Sequence, residues 1–251
     1  MELWENQKFA LAKIPERIDA GAKRICLTAP TGAGKSTIIC GMIEWALERG
    51  WRAITYTNRR LLIDQLARVM RAHGIEHGVR AASHEDKREL PVQISSLPTE
   101  RQRVIKSGKW DIHGADGKLL AICDEAHLNA SGTAQEILGR HVAAGGVILG
   151  VTATPIDLAH LYDELIVAGT MSEMRDCGAL VPAYHFGPDE PDMKDFKHSE
   201  KTGEYTENDV RKAIMTKCIF SRVLENYRTI NKDERPTILF GPGVKESIWF
   251  A

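Results

Sequence analysis

The stretch Ala29-Pro30-Thr31-Gly32-Ala33-Gly34-Lys35-Ser36-Thr37 constrains the fold more than any other part of the chain. Arg24 to Thr28 before it reads as a short buried strand, and Ile38 to Arg49 after it carries the apolar spacing of a helix. Strand, glycine-rich turn and helix in that order are the context of a phosphate-binding loop. Two glycines let backbone N–H groups curl around phosphate oxygens, and the new helix points its positive end at them. The cradle is Thr31, Gly32, Ala33, Gly34, Lys35, Ser36 and Thr37, with Lys35 reaching the β and γ phosphates and the Ser36 hydroxyl ligating Mg²⁺. One position departs from the general G-x-x-x-x-G-K-[ST] pattern: Ala29 stands where glycine is usual.

The other half of such a site lies downstream. Leu119 to Cys123 is a continuous apolar run that ends abruptly in Asp124-Glu125-Ala126-His127. A central parallel strand delivers acids this way to its carboxyl end, where ligands of open α/β sheets bind. Asp124 is placed to hold Mg²⁺ and Glu125 to take a proton from the attacking water. The cofactors expected are therefore ATP and Mg²⁺.

Between and around these segments the chain alternates strand and helix. Trp51 to Tyr56, Pro91 to Ser95 and Val147 to Val151 read as further strands, and Arg59 to His73 and Ala134 to Val142 as helices. Gly74 and Gly78 read as the end of a helix, Thr99 to Lys106 as helical and Ser107 to Lys118 as a loop. Leu3 to Ala20 reads as helical with a break at Pro15. Leu158 to Cys177 looks helical in pieces, Leu180 to Tyr184 looks like an exit strand and Gly187 to Glu207 like an exposed loop. Asp209 to Thr229 is a strong helix pattern, Pro236 to Phe240 a strand, and Val244 to Ala251 the start of a helix. The fold expected is a RecA-like α/β domain over residues 1–178, a parallel sheet with helices on both faces. Residues 179–251 are expected to be a linker and the incomplete start of a second such lobe.

With 33 basic and 34 acidic side chains, net charge −1, no global positive field attracts nucleic acid, so any such contact must be local. Arg59 and Arg60 open a helix at a strand's carboxyl end, where phosphate meets both a helix N-terminus and a guanidinium. Trp4, Trp45, Trp51 and Trp110 are scattered as core aromatics are. Five scattered cysteines without C-x-x-C spacing argue against a disulfide framework or zinc ribbon, and fit buried thiols in a reducing cytoplasm. His73, His77, His84, His141 and His160 form no metal-ligand spacing. No apolar run is long enough to span a bilayer.

The form Ala-Pro-Thr-Gly-x-Gly-Lys-Ser, followed by Asp124-Glu125-Ala126-His127 and Thr152-Ala153-Thr154, resembles the DEAH-box superfamily-two helicases and translocases. Within them it is most similar to the DNA translocases related to type III restriction subunits and phage helicases. The resemblance implies that Gln7 contacts adenine. It implies that Thr57 to Gln65, with Thr57, Arg59 and Arg60, and Gln93 to Leu97, with Ser95 and Ser96, contact a strand. It also implies that His127 and Thr152 to Thr154 link the nucleotide site to the nucleic-acid groove, and that Thr237 to Phe240 is the first strand motif of a second motor domain. Its partners would be duplex DNA and subunits of a restriction, repair or phage replication complex. In this family ATP sits between two lobes and late arginines of the second touch the γ-phosphate. A chain ending at Ala251 is then expected to bind Mg-ATP yet hydrolyse it poorly. A viral DNA-packaging motor and a non-hydrolysing, nucleotide-dependent DNA-binding module are the rival readings.

Overall fold

Strands that are apolar at every position require a sheet covered on both faces. On the strand Leu119–Asp124, Leu120 and Ile122 pack into one core while Leu119, Ala121 and Cys123 pack into another on the opposite side. The computed structural model describes residues 2–57, 60–81, 84, 87–107, 118–181, 183, 217–238 and 243–250. The chain divides into two units, Met1–Pro182 and Ala183–Ala251.

The first unit runs α1 (Glu5–Asp19), β1 (Arg24–Thr28), α2 (Lys35–Glu48), β2 (Arg52–Thr57), α3 (Arg60–Ala72), β3 (Gly78–Arg80) and β4 (Val92–Ser96). It continues through α4 (Leu97–Glu100) into a widened helical turn, Arg101–Lys106, then β5 (Leu119–Asp124), α5 (Gly132–Ala143), β6 (Val147–Thr152), β7 (Glu164–Val167) and α6 (Met171–Asp176). All strand pairs are parallel, in the order β3-β4-β2-β5-β6-β1-β7. Helices α1, α2 and α3 cover one face through Ile14, Ile38, Ile43, Ile63 and Met70, and α5 covers the other through Ile137 and Leu138. In the second unit the described elements are α7 (Lys217–Ile230) and α8 (Val244–Phe250). Among the described residues no helix is long and apolar enough to cross a membrane.

Several elements differ from the sequence reading. Helix α1 runs unbroken through Pro15. An interior proline costs about 3 kcal/mol, whereas the buried stripe Ala10, Ile14 and Ile18 contributes roughly 1.5–3 kcal/mol for each large apolar side chain, so packing wins. Gly78 does not end a helix; it begins the short strand β3. The segment expected to be helical in pieces contains the edge strand β7, which pairs with β1 and buries Ile166 while Leu165 and Val167 stay exposed. Leu180 and Val181 form no strand; Leu180 instead donates its N–H to Met174 O (2.9 Å) and lies against Gly32. Residues 236–238 are exposed and pair with no strand among the described residues. Arg59, Trp110, most of the 107–118 loop, residues 187–207, the first turns of the 209–229 helix and residues 239–242 lie outside the described residues.

One polar cluster is buried in this apolar setting. Arg80 Nε donates to Glu100 Oε1 (2.9 Å), and Ser95 Oγ donates to the same oxygen (2.7 Å) and to Arg80 O (3.2 Å). Both charged side chains are almost wholly out of water. Glu100→Ala removes the buried carboxylate on which Arg80 Nε and Ser95 Oγ meet and is expected to lower unfolding stability by about 3–5 kcal/mol, the scale of a broken buried pair. Urea denaturation beside wild type measures it, and a loss below about 1 kcal/mol, the scale of a surface pair, would contradict the assignment.

Candidate functional site

Three adjacent strands, β5, β6 and β1, end side by side. Asp124 is level with Val151 and Thr28 with Thr152, and the ladder extends one step further because Ala29 N–H donates to Thr152 O (3.1 Å). This explains the alanine in place of glycine. Ala29 is still strand-like, buried and without positive φ, so its side chain fits where a turn residue would need freedom.

The turn itself begins after it. Gly32 (φ +87°) and Gly34 (φ +72°) take left-handed backbone angles that glycine alone adopts without strain. A Cβ on Gly34 would also stand 2.2 Å from Gln7 Nε2. Helix α2 starts at Lys35. Among the described residues the N–H groups of Gly32, Gly34, Lys35 and Ser36 find no protein acceptor, which leaves converging donors at a helix N-terminus, the chemistry an anion requires. Ala33 is buried, and its carbonyl accepts from Asn6 Nδ2 (3.0 Å) and Gln7 Nε2 (3.4 Å). Thr31 is exposed on the crown, and Thr37 lies in the first turn of α2.

Lys35 Nζ donates to the loop's own carbonyls, Ala29 O (3.3 Å) and Pro30 O (3.2 Å). Burial lowers the pKa of its amine, while the nearby Glu125 and Asp124 oppose that shift. The Asp124 carboxyl is raised, chiefly by burial and then by Glu125, against the opposing pull of the Glu125 N–H and Lys35. The pair of acids is therefore crowded and short of positive charge. Such a donor set, an under-compensated carboxylate with a hydroxyl at the first turn of α2, suits a hard dication held by Asp124 and Ser36.

Glu125 adopts φ 54°, ψ 55°, a left-handed conformation costing about 1–3 kcal/mol for a non-glycine residue. It turns the chain sharply after β5, with its N–H on Asp124 Oδ1 (3.1 Å). His127 Nδ1 then lies 3.5 Å from Glu125 Oε2 and 2.9 Å from Thr152 Oγ1. Thr154 closes the cluster, its N–H donating to Thr152 Oγ1 (3.0 Å) and its hydroxyl 3.4 Å from His127 Nδ1. Lys35, Asp124, Glu125, His127, Thr152 and Thr154 are thus brought to one end of the sheet.

The residues suggested for strand contact are less uniform. Thr57 ends β2 with a buried hydroxyl that has no partner among the described residues. Ser96 Oγ caps α4 by accepting from Thr99 N (3.3 Å), and Ser95 is wholly buried on Glu100. Arg60 is the first residue of α3, at the carboxyl end of β2. Asn6 was missed by sequence reasoning. Nothing distinguishes it from a surface asparagine until its amide is found on the loop.

A seven-stranded parallel sheet with a phosphate-type loop after β1 and an acidic turn after β5 defines a RecA-like nucleotide-binding domain of the superfamily-two helicase type. The chain belongs to the type III restriction enzyme res subunit family, whose model matches residues 1–157. A 51.5 kDa protein of a Lactococcus phage (isolate 7-9) is 25% identical over 230 residues, covering 90% of this chain and 45% of its own length. This chain therefore spans less than half of that relative. The UvsW helicase from bacteriophage T4 (18% identity, 66% of this chain and 60% of that one, TM-score 0.52) shares the fold. So does the Hef helicase domain of Pyrococcus furiosus (18% identity, 68% and 39%, TM-score 0.51).

A carboxyl with a raised folded pKa binds its proton more tightly in the native state, so stability falls as pH rises through the window above the usual 3.8. In nucleotide- and metal-free protein, Asp124→Asn is expected to melt higher than wild type at neutral pH, with the difference closing as pH falls to about 4. Scanning calorimetry across that range measures it; a gap that is absent at neutral pH would show that Asp124 is not held at a cost.

Proposed function

We infer that this domain binds and hydrolyses ATP and couples hydrolysis to movement along, or opening of, duplex DNA. The observation that carries this reading is the His127 ring, which joins Glu125 to Thr152 and so ties the acidic turn of β5 to the end of β6. In this reading the loop N–H groups and Lys35 hold the triphosphate, and Ser36 and Asp124 hold Mg²⁺. When bound, the metal neutralises charge developing on the β and γ phosphates. Glu125 accepts a proton from the attacking water, and a shift of Glu125 on hydrolysis reaches Thr152 and Thr154 through the imidazole.

Thr57, Arg59, Arg60 and Ser96 are the candidate strand contacts, since Thr57, Arg60 and Ser96 stand at the carboxyl ends of β2 and β4 beside the start of α3. Residues 179–251 are read as the linker and start of a second lobe. Movement on DNA belongs to two lobes acting together. A non-hydrolysing module shares the loop and differs in turnover, so phosphate release separates the two readings.

Lys35→Ala removes the charge that compensates phosphate and is expected to weaken nucleotide binding more than about tenfold. Glu125→Gln is expected to retain binding while slowing phosphate release about 10²-fold or more, the scale of a lost general base. Fluorescent-nucleotide titration and phosphate release measure both, and equal affinity of wild type and Lys35→Ala would falsify the site. Replacing Arg59 and Arg60 together by Ala should weaken binding to all DNA sequences alike and reduce the salt slope by about two. An unchanged slope in filter binding at several salt concentrations would place the groove elsewhere.

A further inference from the structure

The left-handed turn at Glu125 has to be held at both ends, because a strained backbone relaxes unless its surroundings fix it. At its start β5 does this, with Asp124 level with Val151. Beyond it the chain makes a 3₁₀ turn, Ala126–Asn129, closed internally by Leu128 N–H on Glu125 O (2.9 Å). The far end of that turn is Asn129, which is buried (1% exposed). Its carbonyl accepts from Gln135 Nε2 (2.8 Å), a side chain in the first turn of α5. Gln135 Oε1 in turn accepts from Arg24 Nη1 (3.0 Å), which reaches it from the start of β1.

Arg24 is itself fixed by a further segment. Its Nη1 lies 3.5 Å from Leu161 O, its N–H donates to Asp163 Oδ2 (3.0 Å), and its carbonyl accepts from Asp163 N (2.8 Å). A strut therefore runs from β1 through α5 to the end of the acidic turn, separate from the contact of His127 with Thr152. The chemistry of its two ends selects an amide. A guanidinium only donates and a carbonyl only accepts, so the side chain between them must present an acceptor to one and a donor to the other. The same two neighbours settle which way the Gln135 amide faces. A carboxylate in its place would serve Arg24 alone.

Resting on the reading of Glu125 as the base, we propose that Gln135 is a positioning residue for hydrolysis. Oriented by Arg24, it pins Asn129 and so holds the Glu125 carboxylate where the attacking water is met. It touches no nucleotide in this role. The phosphate loop and Lys35 are held by other contacts, so nucleotide affinity and turnover separate.

Gln135→Glu keeps the partner at Arg24 and loses the donor to Asn129 O, which makes it the diagnostic change. Single-turnover phosphate release from Mg-ATP is expected to slow about ten- to hundredfold, since a misplacement of about 1 Å costs up to about 10²-fold. Fluorescent-nucleotide affinity is expected to stay within about twofold of wild type, and the urea midpoint close to it. Gln135→Met, of similar length and without either hydrogen bond, is expected to slow release to the same degree. In the Glu125→Gln background both changes are expected to cost less than about twofold, because the group they position is gone, whereas a merely structural defect would carry its full penalty there. The proposal is overturned if both variants release phosphate within about twofold of wild type, or if their full penalty persists beside Glu125→Gln. Wild type that binds Mg-ATP and releases no phosphate overturns the hydrolytic reading and this inference with it, an outcome read on wild type alone and so distinct from a failure of the strut.

Discussion

Everything at the candidate site depends on the parallel pairing of β6 between β5 and β1. Side-chain direction alternates along a strand, so a slip of one residue would send Thr152 to the other side of its strand and take its hydroxyl from His127. The observed register instead continues one bond past the strands, from Ala29 N–H to Thr152 O. The start of the loop, the threonine and the acidic turn are thereby held by backbone hydrogen bonds. Side chains then need only short reach to meet.

The same end of the sheet concentrates features that oppose folding. Glu125 is left-handed, Asp124 is crowded and partly desolvated, and loop N–H groups lack protein acceptors. Of these, the left-handed backbone at Glu125 costs on the order of 1–3 kcal/mol. The cores above and below the strands offset them, since a single fully buried isoleucine or leucine contributes about 1.5–3 kcal/mol and both faces carry many. A strained polar rim on an apolar sheet is the expected balance where ligand groups must stay available.

The α/β class and the central strands are legible in the sequence because a buried parallel strand is a continuous apolar run with an abrupt end, as Leu119 to Asp124 is. The edges are not. β3 and β7 are three and four residues long, too short for alternation to register, and β7 exposes Leu165 and Val167 where a core pattern would be expected. Pro15 misleads for a related reason: propensity is local, and the stripe that overrides it is tertiary. At the site, the loop and the acidic pair can be read as motifs. The work of Ser95, Asn6 and Gln7 cannot, because it depends on what lies across the fold: Glu100 for the first, the Ala33 carbonyl for the other two.

Leu180, which lies just past α6, rests its Cδ2 where a Cβ on Gly32 would be, 2.5 Å away. Gly32 is demanded by its left-handed backbone alone, since the Leu180 tip is the end of a flexible side chain and can turn aside at little cost. Trimming Leu180 would clear the space and leave the backbone strain, so no change elsewhere makes this position tolerant. Drift in the sequence at the crown of the loop is blocked by the main chain itself.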